Sequence, residues 1–517
     1  MVRRTLVLLG FCGGCLLGTA ATVVDFTRPV GKIRPQLHSS GLGGQLVGGQ
    51  SNKTGCLKEL QLWGARTHDW ALLNAGQRML DTHFVFPLMH LDAKDPKNYF
   101  FGPTDEILKI TTQDLGLHVM YRMGTSIESV NARRNWQDPK SPKPGYYNCV
   151  EPADWDQYAE VLTGIIRHYT EGWANGFKWG DKLTYWELWN EPNDRPGGSW
   201  LNADGDFDSA RNWARFQRFY AHVLKILKSR FPHLKFGGPA TCYCDLPFLR
   251  NTLLACKEVG YAPDFVSWHN YACRPGEMLE TPAKVRALCD ELGFKDIELV
   301  INEWHYLPYP EVWGDFNAPS EIYAKRILDP VNGLTGIESA IYTLQVIMGL
   351  QTTCLDQSYY YGCGQGYGGL FGIRNADASL QKVYYALKLF GTVVRACDDF
   401  VNVKAERGVW DPIQCFGAIS RDRRRKYLIV SRYKGGSPTF EVVVKGLGKA
   451  KVRSVEALNE QLDLETVSLP AKAEENTSRT PFSPAVASPV FTRDGDTFTF
   501  NCWTPTSAAW LITFDAE

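Results

Sequence analysis

Tyr185-Trp186-Glu187-Leu188-Trp189-Asn190-Glu191-Pro192-Asn193 and Leu299-Val300-Ile301-Asn302-Glu303-Trp304-His305 share one form: an apolar, strand-like run that ends on a glutamate. The sequence around them decides what such ends do. From Gly41 to Leu389, apolar runs alternate with longer amphipathic stretches, the pattern of β/α units around a parallel sheet. Strands are expected at Leu117–Arg122, Leu183–Trp189, Leu234–Gly237, Phe265–Tyr271, Ile297–Asn302 and Ser339–Leu344. Leu37–Leu42 and Ala65–His68 supply two more, enough to close a (β/α)8 TIM barrel. Helices are expected over Asp154–Tyr169, with Tyr158, Val161, Leu162 and Ile165 at helical spacing, and over Ala210–Phe231. The Tyr- and Gly-rich stretch Gln357–Gly372 reads as the loop after the eighth strand.

Past Val394 the pattern changes to short alternating runs, including Lys426–Ser431, Thr439–Val444, Thr497–Asn501 and Ala508–Thr513, separated by Gly, Pro and Asp-Gly turns. That is the signature of an antiparallel β-sandwich. The α/β chain therefore divides into a barrel over 22–394 and a sandwich over 395–517. Thr22–Phe26 is a lone strand, and 22–40 is placed to lend it to the distant sandwich.

Composition narrows the function classes. The chain has 517 residues, is 44% hydrophobic, and balances 56 Lys+Arg against 56 Asp+Glu, so it has ample core and no basic excess to release counterions from a polyanion. Nucleic acid is excluded as an expected partner. Residues Met1–Ala21 carry Arg3 and Arg4, an apolar run from Leu6 to Phe11, and small residues at Gly18, Ala20 and Ala21, which reads as a signal peptide and a secreted or periplasmic protein. Gly13 and Gly14 break that run below the roughly 20 apolar residues of an integral membrane span. Of the 14 cysteines, Cys12 and Cys15 fall in this leader. Cys242 and Cys244 lack the paired spacing of a metal site and are expected as buried thiols or disulfides.

In a β/α barrel, chemistry gathers at the C-terminal ends of the strands, so Glu191 and Glu303 are expected to face one basin from different strands. Two carboxylates about 5 Å apart suit retaining glycoside hydrolysis, one as nucleophile and the other as acid and then base. Trp186 and Trp189 are expected around Glu191, and Tyr271 as a donor to Glu303. Pro192 disfavours the α region for Glu191 and is expected to hold it extended. Strict pleating would send Asn190 and Glu191 to opposite faces, so the strand must bulge or twist there.

Trp-Asn-Glu-Pro at a barrel-strand end, followed by a second strand-end glutamate, resembles the clan of retaining (β/α)8 glycosidases, and within it glycoside hydrolase family 39, which holds β-xylosidases and α-L-iduronidases. The likeness runs over most of Gly41–Leu389. Ala65-Arg66-Thr67-His68 is similar to that family's second strand end, Gly237-Gly238-Pro239 to its fifth, and Ser267-Trp268-His269-Asn270-Tyr271 to its sixth. Asn98-Tyr99-Phe100 and Arg167-His168-Tyr169 are lesser matches.

The resemblance implies Glu191 as acid/base and Glu303 as nucleophile, with Arg66 supporting Glu303, Asn190 and His269 binding the sugar, and Tyr271 orienting Glu303. His68 and Trp304 complete the expected substrate-binding set. No metal or organic cofactor is implied. Asn302 stands where the iduronidase branch has Asp, and Trp304 follows the nucleophile, which leans toward the xylosidase side. The expected partner is an oligosaccharide or polysaccharide, cleaved in β-xylosidase-like exo fashion. The rivals are an α-L-arabinosidase or iduronidase type, and a carbohydrate-binding protein without turnover.

Overall fold

A computed structural model of the chain describes residues 22–42, 51–67, 79–80, 83–84, 92–99, 101–123, 151–152, 154–194, 200, 209–309, 318–363, 365–366, 371–375, 377–405, 408–435, 438–467 and 489–515. His68, Phe100 and Met1–Ala21 lie outside them. Eight parallel strands close in chain order: Ser39–Leu42, Gly64–Thr67, His118–Arg122, Tyr185–Glu187, Lys235–Thr241, Phe265–Ala272, Glu298–Tyr306 and Gln357–Tyr360. The seventh pairs with the sixth and the eighth, and the eighth with the first, so no edge remains. Met120, Phe265, Val300 and Tyr359 fill the barrel's interior below the mouth.

Helix Trp155–Thr170 starts where Asp154 caps the Asp156 and Gln157 amides, and buries the face carrying Tyr158, Val161, Leu162 and Ile165. Helix Ser209–Arg230 follows the fourth strand. The eighth strand differs from the sequence expectation. Ser339–Leu344 is helical, inside Ile337–Leu350, a helix buried on nearly every side. A helix enclosed all round has no polar face, so its apolar run lacks helical periodicity and reads as a strand. The true eighth strand, Gln357–Tyr360, is four residues long and opens the stretch read as a loop.

The C-terminal unit is one ten-stranded sheet in the order Asp463–Thr466, Lys451–Leu458, Ala508–Asp515, Arg425–Arg432, Ile413–Ser420, Cys397–Lys404, Thr22–Lys32, Thr439–Lys445, Thr497–Trp503 and Val490–Asp494. It curls onto itself. Trp510 packs 6.0 Å from Phe440 and 5.7 Å from Phe500, although their strands are far apart in the sheet, so opposite arms meet face to face over a shared core. Thr22–Lys32 lies between Cys397–Lys404, antiparallel, and Thr439–Lys445, the one parallel pair.

Helix Ile337–Leu350 joins the two units: Gln345 donates to the Pro412 carbonyl at 3.0 Å and to Ser431 Oγ at 3.1 Å. Tyr433 adds a bond to the Cys273 carbonyl at 2.6 Å. Among the described residues no helix is long and apolar enough to cross a membrane, and Cys56, Cys242, Cys244, Cys256, Cys273, Cys289, Cys354, Cys363, Cys397 and Cys415 are free thiols.

Candidate active site

The seventh strand sets the site. Its residues pair with the sixth as Val300–Ser267 and Ile301–Trp268, then jump to Glu303–His269, leaving Asn302 as the extra residue of a bulge. Val300 faces the barrel interior, so strict alternation would send Glu303 the other way. The bulge reverses the parity. Glu303 comes into line with His269 at the mouth, and Trp304 turns out against Tyr360, with ring centroids 5.3 Å apart. Asn302 is buried in the bulge, and its amide has no hydrogen-bond partner among the described residues.

The fourth strand solves its own parity problem differently. It ends at Glu187, and the chain then takes a positive φ at Trp189 (75°) and at Glu191 (50°). Glu191 is therefore left-handed and not extended: Pro192 closes the α region, and the chain escapes to the other side. Such residues cost about 1–3 kcal/mol each and persist where neighbours fix them. Here the Glu191 amide donates to the Ala240 carbonyl at 2.8 Å and the Leu188 amide to Gly237 at 3.0 Å. Gly238 is needed beside this turn, since a Cβ there would lie 2.9 Å from the Leu188 carbonyl. Trp186 and Trp189 are wholly buried among the barrel–helix packing and do not surround Glu191; Trp189 packs against Trp200, Phe216 and Phe219.

Arg66 organises the floor. Its Nε donates to Glu187 Oε2 at 2.7 Å, Nη2 to Asn190 Oδ1 at 3.0 Å and Nη1 to Glu303 Oε2 at 3.3 Å, with Arg66 and Glu187 both fully buried. Ser267 holds the other Glu187 oxygen at 2.7 Å. Above this layer His269 bridges the two candidate catalytic groups: Nδ1 is 2.8 Å from Glu191 Oε1, and Nε2 is 3.4 Å from Glu303 Oε2, outside hydrogen-bonding geometry. Tyr271 donates to Glu303 Oε1. Oxygens of Glu191 and Glu303 and a nitrogen of His269 all lie within 4.8 Å of one another.

The structure thus brings Arg66, Asn190, Glu191, His269, Tyr271 and Glu303 together. Trp304 stands apart, only 1% exposed, with no face for a ligand. Three further contributors stand outside the expected set of site residues. Ser267 was quoted only as part of a motif. Glu187 is the buried anion to which Arg66 is anchored. Arg122, at the end of the third strand, is buried beside Arg66; burial and that like charge push it down to about 10, while the Glu303, Glu187 and Glu191 carboxylates pull the other way. A charged residue closing an apolar strand was the available signal for Arg122. The Glu191–His269–Glu303 triangle has the donor atoms of a cation site, yet Arg66 already directs positive charge at the same Glu303 oxygen, which favours a hydrogen-bonded acid pair.

Residues 140–321 match the family model described as Glycosyl hydrolases family 39. A β-xylosidase of Geobacillus stearothermophilus is 27% identical over 203 residues, covering 35% of this chain and 37% of that enzyme. Among solved structures, a glucosidase from Croceicoccus marinus superposes with a TM-score of 0.67 at 18% identity, covering 96% of this chain and 99% of its own. A family 51 α-L-arabinofuranosidase from Bifidobacterium longum gives 0.60 at 13% identity, with 96% and 99% covered. At these identities the two structures share the fold.

Proposed function

The chain is related to the family 39 glycosyl hydrolases, and from that premise we propose that it is a retaining glycoside hydrolase with β-xylosidase-like exo action on oligosaccharides. The observation that carries the proposal is the pair Glu191 and Glu303, brought from the fourth and seventh strand ends to within 4.8 Å. That spacing suits direct attack by one carboxylate and leaves no room for the intervening water of an inverting enzyme.

In the first step Glu303 Oε attacks the anomeric carbon and the glycosidic C–O bond breaks, while the Glu191 proton passes to the departing oxygen. In the second, Glu191 takes a proton from water, the water oxygen attacks the anomeric carbon, and the Glu303 ester bond breaks. Arg66 and Tyr271 hold Glu303 in line, and His269 fixes the Glu191 carboxyl through Nδ1. Because Arg66 engages the oxygen of Asn190, the amide nitrogen is left to donate to a sugar hydroxyl next to the reacting carbon, a contact that strengthens in the transition state.

The xylosidase preference draws on the Geobacillus β-xylosidase likeness. The arabinofuranosidase fold likeness keeps an α-L-arabinosidase as the second reading. We further propose export through the Met1–Ala21 leader, which the N-terminus of the mature protein would test, and a division of the mature chain near residue 394. A panel of aryl glycosides, comprising β-xyloside, α-L-arabinoside, β-glucoside, β-galactoside and α-L-iduronide, tests the activity with wild type beside Glu303→Gln. Release from the β-xyloside that disappears in the variant is expected. Binding of oligosaccharide with no release from any glycoside would favour a binding protein.

A further inference from the structure

The large hydrophobic residues with substantial exposure among the described residues are Val30, Tyr243, Leu254, Ile322, Leu328 and Trp410. Four are aliphatic. Trp410 has a structural reason to be where it is: its ring packs on Gly276 and its Nε1 donates to Glu280 at 2.9 Å, joining the two units. Tyr243 is the most exposed aromatic of the group, at 54%, with its hydroxyl near the Asp245 carboxylate of its own turn.

Its position is specific. It lies two residues past the fifth barrel strand, at the mouth, and the preceding residue adjoins the acid/base: burial and the neighbouring Glu191, Asp194 and Glu303 carboxylates push the Cys242 thiol up. The backbone that carries Tyr243 is fixed. Its carbonyl accepts from Thr241 Oγ1 at 2.8 Å and from the Asp245 amide at 2.7 Å. Asn193, two residues past Glu191, accepts from the Cys242 amide at 2.8 Å and donates to Asp245 at 2.9 Å. The turn bearing Tyr243 and the turn bearing Glu191 are therefore one hydrogen-bonded unit, with an exposed ring on its rim. An aromatic ring held to solvent on a rigid turn forgoes burial, and rings of this kind have an apolar face suited to sugar C–H groups and a polar edge suited to hydroxyls.

We propose that Tyr243 is the platform of a leaving-group subsite, which takes a pyranose ring on the side from which Glu191 delivers its proton. The proposal rests on the glycosidase reading above and adds to it: the acid/base side of the scissile bond is where the departing ring sits, and the Trp189 and Trp304 indoles, buried elsewhere, are unavailable to line it.

The test compares two substrates that share the transferred sugar and differ in the leaving group: β-xylosyl fluoride, whose leaving group is a single atom, and xylobiose, whose leaving group is a ring. If the aryl panel names another sugar, the fluoride and 1,4-linked disaccharide of that sugar replace them. Tyr243→Ala should lower kcat/KM on the disaccharide by about tenfold, the scale of one lost aromatic contact, leave the fluoride within about twofold, and leave Tm unchanged. Tyr243→Trp should restore the disaccharide rate. Equal losses on both substrates, or no loss on the disaccharide, would overturn the platform. Failure of the wild type on both substrates would overturn the glycosidase reading, and the subsite with it.

Discussion

His269 Nδ1 lies 2.8 Å from Oε1 of Glu191, so a ring on the sixth strand fixes a carboxyl that leaves the fourth. The imidazole is itself fully buried, and its strand is in register with Glu303 through the bulge. One side chain thus lies between the two candidate catalytic carboxyls. The distance between them is a property of the fourth, sixth and seventh strand ends and not of a flexible loop.

Removing the donor should affect only those steps that need a proton. Glu191→Ala is expected to lose about 10²–10⁴-fold in rate on glycosides with poor leaving groups, and far less on a dinitrophenyl glycoside. Added azide should speed turnover of the activated substrate and yield a glycosyl azide of retained configuration, detectable by NMR. Inverted azide product would contradict the assignment.

Arg66 and Glu187 form a buried pair at 2.7 Å, so removing only the cation strands a carboxylate. Arg66→Met is expected to cost about 3–5 kcal/mol and to abolish turnover. Arg66→Met/Glu187→Gln should recover a large part of the stability in thermal unfolding and none of the activity. Full stability in the single variant would mean that the ion pair carries no structural role.

Trp304 belongs to the core. Trp304→Ala should destabilise by about 3–5 kcal/mol, whereas Trp304→Phe should leave KM unchanged. A several-fold rise in KM for the phenylalanine variant, at unchanged Tm, would restore the indole as a substrate contact.

His38 and His305 are buried and neutral, pushed down by burial to about 4 from an ordinary value of 6.5. Above pH 6.5 both states leave these rings neutral and their contribution is complete. As pH falls from about 6.5 toward 4 the unfolded chain takes up protons that the folded one refuses, and stability is lost, on the order of 3 kcal/mol per ring. Urea unfolding at pH 7 and pH 4.5 should show this loss, and His305→Gln should reduce the difference.

Much of this site was legible in the sequence. Glu191 and Glu303 were found because apolar runs ending on glutamate point to a barrel mouth, and the sixth-strand His269 and Tyr271 took their roles from the family 39 resemblance. What periodicity could not convey was parity. Trp304 was assigned to the sugar because the bulge at Asn302 leaves no mark in the order of residues, and the bulge decides which neighbour of Glu303 faces inward. Glu191 was expected to be extended, because a proline rule that excludes one region does not choose between the remaining two. Ser339–Leu344 was read as a strand because enclosure by barrel and sheet removed the polar face that identifies a helix.

The most direct test is to trap the covalent intermediate. Incubation with a 2-deoxy-2-fluoro-β-glycosyl fluoride of the sugar found in the aryl panel slows both steps by destabilising the oxocarbenium-like transition states, while fluoride leaves readily, so the glycosyl-enzyme accumulates. Digestion and mass spectrometry should then find one added fluorosugar on the peptide carrying Glu303, and none in Glu303→Gln. A wild-type enzyme that turns over the aryl glycoside but is labelled on another residue, or not at all, would contradict the assignment of Glu303 as nucleophile.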